Sequence, residues 1–125
     1  MMADWRRDIR CYVSPAGRNK IEDWYEGLSA QEKADADEFI KNQRKIKDWA
    51  RPRYKVLFEG IGELRWQSRQ KQHRLIGFFQ EEAWIALIGC SHKGKVYKPP
   101  DCLETARKRK KHVEEGEVMT HEFDL

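Results

Sequence analysis

The chain has 125 residues, with 25 Lys plus Arg against 21 Asp plus Glu, a formal charge of +4, and is 37% charged and 39% apolar. That length supports one small domain, 1–125, burying roughly two thirds of its unfolded surface, and excludes two full domains. The longest apolar run, residues 83–90, falls far short of the ~20 residues that cross a bilayer, and the first eight residues hold no apolar signal core, so the expected location is cytoplasmic, with no membrane contact.

In chain order, residues 9–14 are rich in strand formers and close on Pro15-Ala16-Gly17, which predicts a first strand. Ile21, Trp24, Tyr25 and Leu28 then form one apolar stripe of a short helix. Gly27 and the Ser29–Glu32 capping box mark a stop and a restart. The second helix is predicted to run to about Trp49, with Ala36, Phe39, Ile40 and Ile46 inward, until Pro52 ends it. Its acidic cluster Asp35, Asp37 and Glu38 reads as a solvated helix face and not as metal ligands.

After the turn at Gly60-Ile61-Gly62, residues 63–68 alternate, with Glu63, Arg65 and Gln67 on one side and Leu64 and Trp66 on the other. A polar stop at 69–71 predicts a hairpin into a strand over 73–79. The turn at 80–82 leads to 83–90, whose continuous apolarity fits a strand covered on both faces. Pro99-Pro100-Asp101 opens a last helix with Leu103, Ala106 and Val113 inward and a basic run from Arg107 to Lys111. From about 114 to 125 an acidic tail has no pattern and reads as disordered or docked. The fold class is therefore α+β: an antiparallel sheet of about four strands, two N-terminal helices packed on it and a C-terminal helix.

The modest net charge conceals two basic blocks. Residues 41–74 hold 11 basic and 3 acidic side chains, and residues 93–111 hold 8 and 2. Converging on one face, they would concentrate positive potential for a polyanion. Three cysteines, Cys11, Cys90 and Cys102, have no C-x-x-C spacing and read as buried thiols of a reducing compartment. Residues 89–95 satisfy G-x-x-x-x-G-K, but Val96 stands where a phosphate loop needs a Ser or Thr hydroxyl, and Pro99-Pro100 delays the helix that such a loop must enter. The four histidines fit no zinc spacing, so neither metal nor cofactor is expected.

What remains is a cationic group. Arg65 leaves the polar side of its strand beside Glu63, Arg74 opens the next strand beside His73, and Lys93, Lys95 and Lys98 follow the apolar strand with Tyr97 among them. Arg65 and Arg74 are near neighbours if the hairpin forms, and two close guanidiniums call for an anion between them. Such a pair suits a phosphodiester, whose transferring phosphoryl group builds up negative charge. The alternative is that each Arg or Lys is a surface charge with an acidic partner, for example Glu63 with Arg65, and composition alone does not decide between them.

These blocks resemble a family. Gly60-Ile61-Gly62-Glu63-Leu64-Arg65, then His73-Arg74-Leu75-Ile76-Gly77-Phe78-Phe79, then 85–95, then Lys98-Pro99-Pro100 with Leu103, Ala106 and Arg109 are similar to successive blocks of the RelE/HigB-like toxins of type II toxin–antitoxin systems, in particular their phage-derived branch. The resemblance spans the first strand to the last helix. It implies a RelE-like, microbial-ribonuclease-like fold and a metal-independent mRNA endoribonuclease that inhibits translation on or near the ribosome and is neutralised by a cognate helix-turn-helix antitoxin. Arg65 matches the basic position ending the E-L-R block, Arg74 the arginine of the aromatic-Arg block, and Lys93 the basic residue after the apolar strand. The chain departs from the pattern at His73, where an aromatic is common, at Gly77, where a tyrosine often stands, and at Gly94, which interrupts a lysine pair.

The expected reaction is attack of an RNA 2′-OH on its own phosphate, with Arg65 and Arg74 neutralising charge, His92 or His73 moving the proton and Glu63 a second candidate base. Lys93, Lys95, Lys98, Arg107, Lys108 and Lys110 would hold neighbouring phosphates, and Tyr97, Trp66 or Phe78 would stack on a base. The alternatives are a non-catalytic module on the same fold that holds RNA or a protein, and a purely protein-binding phage or mobile-element factor.

Overall fold

Alternating side chains on the central strands require cover on both sides of the sheet, and the helices supply it. The computed structural model describes residues 5–116, 118 and 120–123. Its elements are β1 (Ile9–Tyr12), α1 (Lys20–Glu26), α2 (Ala30–Arg44), β2 (Tyr54–Phe58), β3 (Ile61–Ser68), β4 (Lys71–Gln80), β5 (Ala83–Lys93), β6 (Val96–Lys98), α3 (Cys102–Glu114) and β7 (Thr120–Glu122). The sheet order is β2-β3-β4-β5-β1-β7, with β6 paired to β5. Among the described residues only β1 and β5 run parallel, with Ile9 beside Trp84, and the other pairs are antiparallel.

On one face, Leu64, Trp66, Leu75, Trp84 and Ala86 pack against Ile21 of α1 and Ala36 and Ile40 of α2. On the other, Ile61, Ile76, Phe78, Ile85 and Leu87 pack against Cys102, Ala106 and Val113 of α3. Strand β5 thus feeds both cores, which accounts for its unbroken apolar sequence. The predicted start of the second helix holds: Ser29 and Glu32 form the reciprocal capping box. Helix α1 begins on a cap the sequence reading had not named, Asn19, whose side chain accepts from the Ile21 and Glu22 N–H groups. All three cysteines are buried.

Three expectations need correction. Among the described residues the sheet has seven strands and not about four, because β2, β6 and β7 had not been anticipated. Helix α2 ends at Arg44, short of Trp49. Its last residues turn inward, with Arg44 donating to the Arg7 and Phe123 carbonyls. Trp49 folds back so that its ring lies 5.3 Å from those of Tyr54, Phe79 and Trp84, an aromatic cluster formed in place of about one and a half further helical turns. Asp35 and Asp37 are not merely solvated: Ser68 donates to Asp35 at 2.5 Å and Tyr25 donates to Asp37 at 2.8 Å, tying α2 to β3 and to α1.

Of the two readings of the acidic tail, disordered or docked, its described part takes the second. Thr120–Glu122 pairs antiparallel with β1, Arg10 donates to Thr120 Oγ1 at 2.7 Å, and Phe123 is buried in the core below α1 and α2. Positions 117, 119, 124 and 125 of that tail, like positions 1–4, lie outside the described residues. No helix among the described residues is long and apolar enough to cross a membrane.

Candidate nucleic-acid interface

The β3–β4 hairpin turns at Arg69 and Gln70, both with positive φ (52° and 65°), and this two-residue turn sets the register of the whole ladder. Arg65 faces Arg74 directly across it, with Glu63 one pleat away on β3. On the same face, Cys90 lies opposite Arg74, and His92 lies one pleat further along β5. Lys55 on β2 is the register partner of Glu63, and Tyr97 on β6 is the register partner of His92. Five strands therefore deliver Lys55, Glu63, Arg65, Arg74, His92 and Tyr97 to one face. Beside α3 this face is core, whereas at Arg65, Gln67, Gln72 and Arg74 it opens as a shallow recess of about 250 Å³.

Glu63 is the hub. Its Oε2 lies 3.4 Å from Arg65 Nε and 3.7 Å from Arg74 Nε, while its Oε1 accepts a 2.5 Å hydrogen bond from the Tyr97 hydroxyl. Arg74 is buried and its Nη1 donates to the His73 carbonyl, but its Nε has no hydrogen-bond acceptor. Burial pulls the Arg74 guanidinium below its ordinary value, Glu63 opposing, yet it stays charged at any physiological pH. Two guanidiniums and one carboxylate leave a net positive charge, to which Lys55 adds.

His92 packs its ring 4.6 Å from that of Tyr97. Burial, and then the Arg74 charge, hold its imidazole below its ordinary value. A neutral imidazole beside a cationic recess is equipped to accept a proton near neutral pH. Burial, and then the hydrogen bond to Glu63, push the Tyr97 phenol up, so it remains a donor.

The other predicted residues divide clearly. Lys93, Lys95 and Lys98 are exposed on the β5–β6 hairpin, and Lys93 and Lys98 line an adjoining cleft of about 530 Å³ that also contains His92 and Gln72. On α3, Arg107 pairs with Glu59 at 3.1 Å and with Glu104 at 3.2 Å, and Lys110 pairs with Glu114 at 3.0 Å, so both are largely neutralised. Lys108 has no ion pair among the described residues. Trp66 and Phe78 are buried in opposite cores and leave little surface to a base, although Trp66 is among the residues lining the recess. Tyr97 uses its hydroxyl on Glu63 instead of standing free.

His73 is not part of this group. Neighbours on a strand point to opposite faces, so with Arg74 in the recess His73 is on the helix side. It is buried, stacked on Trp66 at 5.7 Å, with Nε2 3.2 Å from Glu32 of the α2 capping box. Gly77 is on that helix side too: a Cβ there would lie 2.7 Å from the Trp84 ring. The tyrosine expected at 77 is thus replaced by a ring from the next strand, remote from the recess.

The placement of His73 has a measurable consequence. Burial holds its imidazole below the ordinary value, Lys71 and Arg74 adding repulsion while Glu32 opposes them. The folded state therefore carries the neutral form, and the unfolded chain binds more protons once pH falls through the unfolded value near 6.5. Stability is expected to be full above about pH 7.5, to decline as pH is lowered through about 6.5, and to level off below the folded value. Urea midpoints measured between about pH 8 and pH 5 should show this fall, with a shallower slope in His73→Phe. An identical slope in the variant would contradict the assignment.

Of the residues that the sequence reading missed, Lys55 is the most informative. The run Tyr54-Lys55-Val56-Leu57-Phe58, bounded by Pro52 and Gly60, carries the aromatic and β-branched signal of a strand. Gln67 and Gln72, joined by a 3.2 Å hydrogen bond, form the polar edge of the recess. A second pair of recesses, between α1 and β7, is lined by Glu22, Asp23, Glu26 and Glu122 and has the wrong charge for a polyanion. Among the described residues, no three His, Cys, Asp or Glu side chains converge as metal ligands.

The chain is thus an α+β domain with a mostly antiparallel open sheet, carrying a cationic recess built on one sheet face. Comparison of the chain with protein-family models, with curated proteins and with solved structures finds no match.

Proposed function

We propose that the protein is a metal-independent endoribonuclease of the RelE/HigB-like toxin type, acting on mRNA and silenced by a helix-turn-helix antitoxin. The observation that carries this reading is the direct opposition of Arg65 and Arg74 on an open sheet face, with neutral His92 and Lys55 on the same face. Like charges facing each other across a ladder are destabilising; they are useful where an anion is to be received.

In the reaction, the ribose 2′-oxygen attacks the adjacent phosphorus and the bond to the 5′-oxygen breaks. His92 takes the 2′-OH proton, the guanidiniums neutralise the phosphorane, and water or a rim ammonium protonates the leaving 5′-oxygen. The products are a cyclic phosphate and a 5′-hydroxyl. Lys93, Lys95 and Lys98 offer seats for flanking phosphates along the adjoining cleft.

One observation favours a non-catalytic RNA-binding module on the same surface: Glu63 already answers part of the charge of both arginines. Induced expression in growing bacteria separates the two. The nuclease arrests growth and leaves mRNA fragments with new 5′-hydroxyl ends. The module yields salt-dependent RNA binding by the purified protein with no cuts. Growth and RNA left unchanged, together with no RNA binding, would overturn both.

A further inference from the structure

The contact of Glu63 with the two arginines is close but poorly made. Charge-assisted N–H···O hydrogen bonds close to about 2.7–2.9 Å, whereas the Glu63 oxygen stands 3.4 Å and 3.7 Å from the two Nε atoms, and Arg74 Nε is left buried without an acceptor. A buried N–H of a charged group without an acceptor is costly, so the pocket is shaped for something other than the carboxylate now in it. The carboxylate, tethered to β3 and held by Tyr97 through its other oxygen, meets neither Nε at charge-assisted hydrogen-bond distance. A tetrahedral phosphate presents several oxygens and is not tethered.

We propose that Glu63 is the resident occupant of the anion seat between Arg65 and Arg74, and that a phosphate group binds by displacing it. The carboxylate then stays on the Tyr97 hydroxyl, which already holds its other oxygen, with Lys55 alongside as its neighbour in register. In the empty protein Glu63 prevents two facing guanidiniums from forcing the hairpin apart. In the loaded protein it opposes the incoming charge, so its ionised side chain sets how weakly the seat holds a phosphate. The seat therefore favours polyphosphodiesters, whose flanking phosphates on Lys93 and Lys98 offset that repulsion, over a single free phosphate. This inference rests on reading the recess as a phosphate site, not on cleavage.

The test is binding of inorganic phosphate, followed by titration calorimetry, to the wild type and to Glu63→Gln. The amide keeps the shape and the acceptor for Tyr97 while removing the charge. Phosphate is expected to bind Glu63→Gln at least tenfold more tightly than the wild type. Equal or weaker binding by a folded variant would overturn the inference. Should the variant fail to fold, the wild type decides by NMR. Phosphate is expected to shift the Arg65 and Arg74 Nε–H signals together with the Glu63 carboxyl carbon; shifts confined to the Lys93–Lys98 hairpin overturn the displacement. Tightened phosphate binding without RNA cleavage by the wild type discards the nuclease reading and keeps this one. Cleavage without tightening does the reverse.

Discussion

Arg74→Ala is expected to lower the rate of RNA cleavage by about 10²- to 10³-fold, the usual loss when one preorganised stabiliser of developing charge is removed. Arg74 is the buried member of the pair, fixed by the His73 carbonyl and by its position across the ladder from Arg65. Its charge is therefore aimed before substrate arrives, and water screens it little. Arg65 is about one third exposed at its side chain, and Arg65→Ala is expected to cost less.

The measurement is single-turnover cleavage of an oligoribonucleotide, with circular dichroism and thermal melting as the check on folding. Loss of a buried cation leaves Glu63 with Arg65 and Tyr97 as partners, so the fold is expected to survive. Arg74→Lys keeps a charge but loses the planar fork that could serve two phosphate oxygens. It should restore stability more fully than it restores cleavage. Cleavage by Arg74→Ala at the wild-type rate would remove the arginine pair from the chemistry.

Gly77→Ala is expected to destabilise the fold by about 3 kcal/mol, the upper end of the range for overpacking a core, which lowers the thermal midpoint by about 10–20 °C in a domain of this size. The added methyl would meet the Ile85 carbonyl oxygen at 2.2 Å and two carbons of the Trp84 ring at 2.7 and 2.8 Å. Neither neighbour yields easily. The carbonyl belongs to the β4–β5 ladder beside its register shift, and Trp84 is fully buried, donating to the Tyr54 hydroxyl. Gly89 has the same relation to Trp24, whose ring would lie 2.2 Å from a Cβ there. Chemical denaturation of Gly77→Ala beside the wild type measures the effect. A midpoint within about 2 °C of the wild type would mean that the strands slide freely at that point, contrary to the packing described.

Much of this architecture was legible along the chain. Alternation over 63–68 and the polar stop at 69–71 place Arg65 near Arg74, because a tight hairpin leaves little freedom in register. The start of the second helix was equally plain, since Ser29 and Glu32 form a local, self-contained structure. The same alternation rule, applied one step further, separates His73 from Arg74: adjacent strand residues cannot share a face. Edge and terminal strands were harder. Residues 96–98 and 120–122 are three-residue strands, too short to show an alternation, and they pair with backbone that β5 and β1 offer.

The amino-acid order by itself determined the α+β class, the central hairpins and the convergence of two arginines, because these depend on contacts among near neighbours. Tertiary structure alone decided that Lys55 and Tyr97 join them and that Glu63 lies between the guanidiniums. Each of those outcomes depends on strand order and helix cover, which are set by which side chains find room against partners far away in the chain.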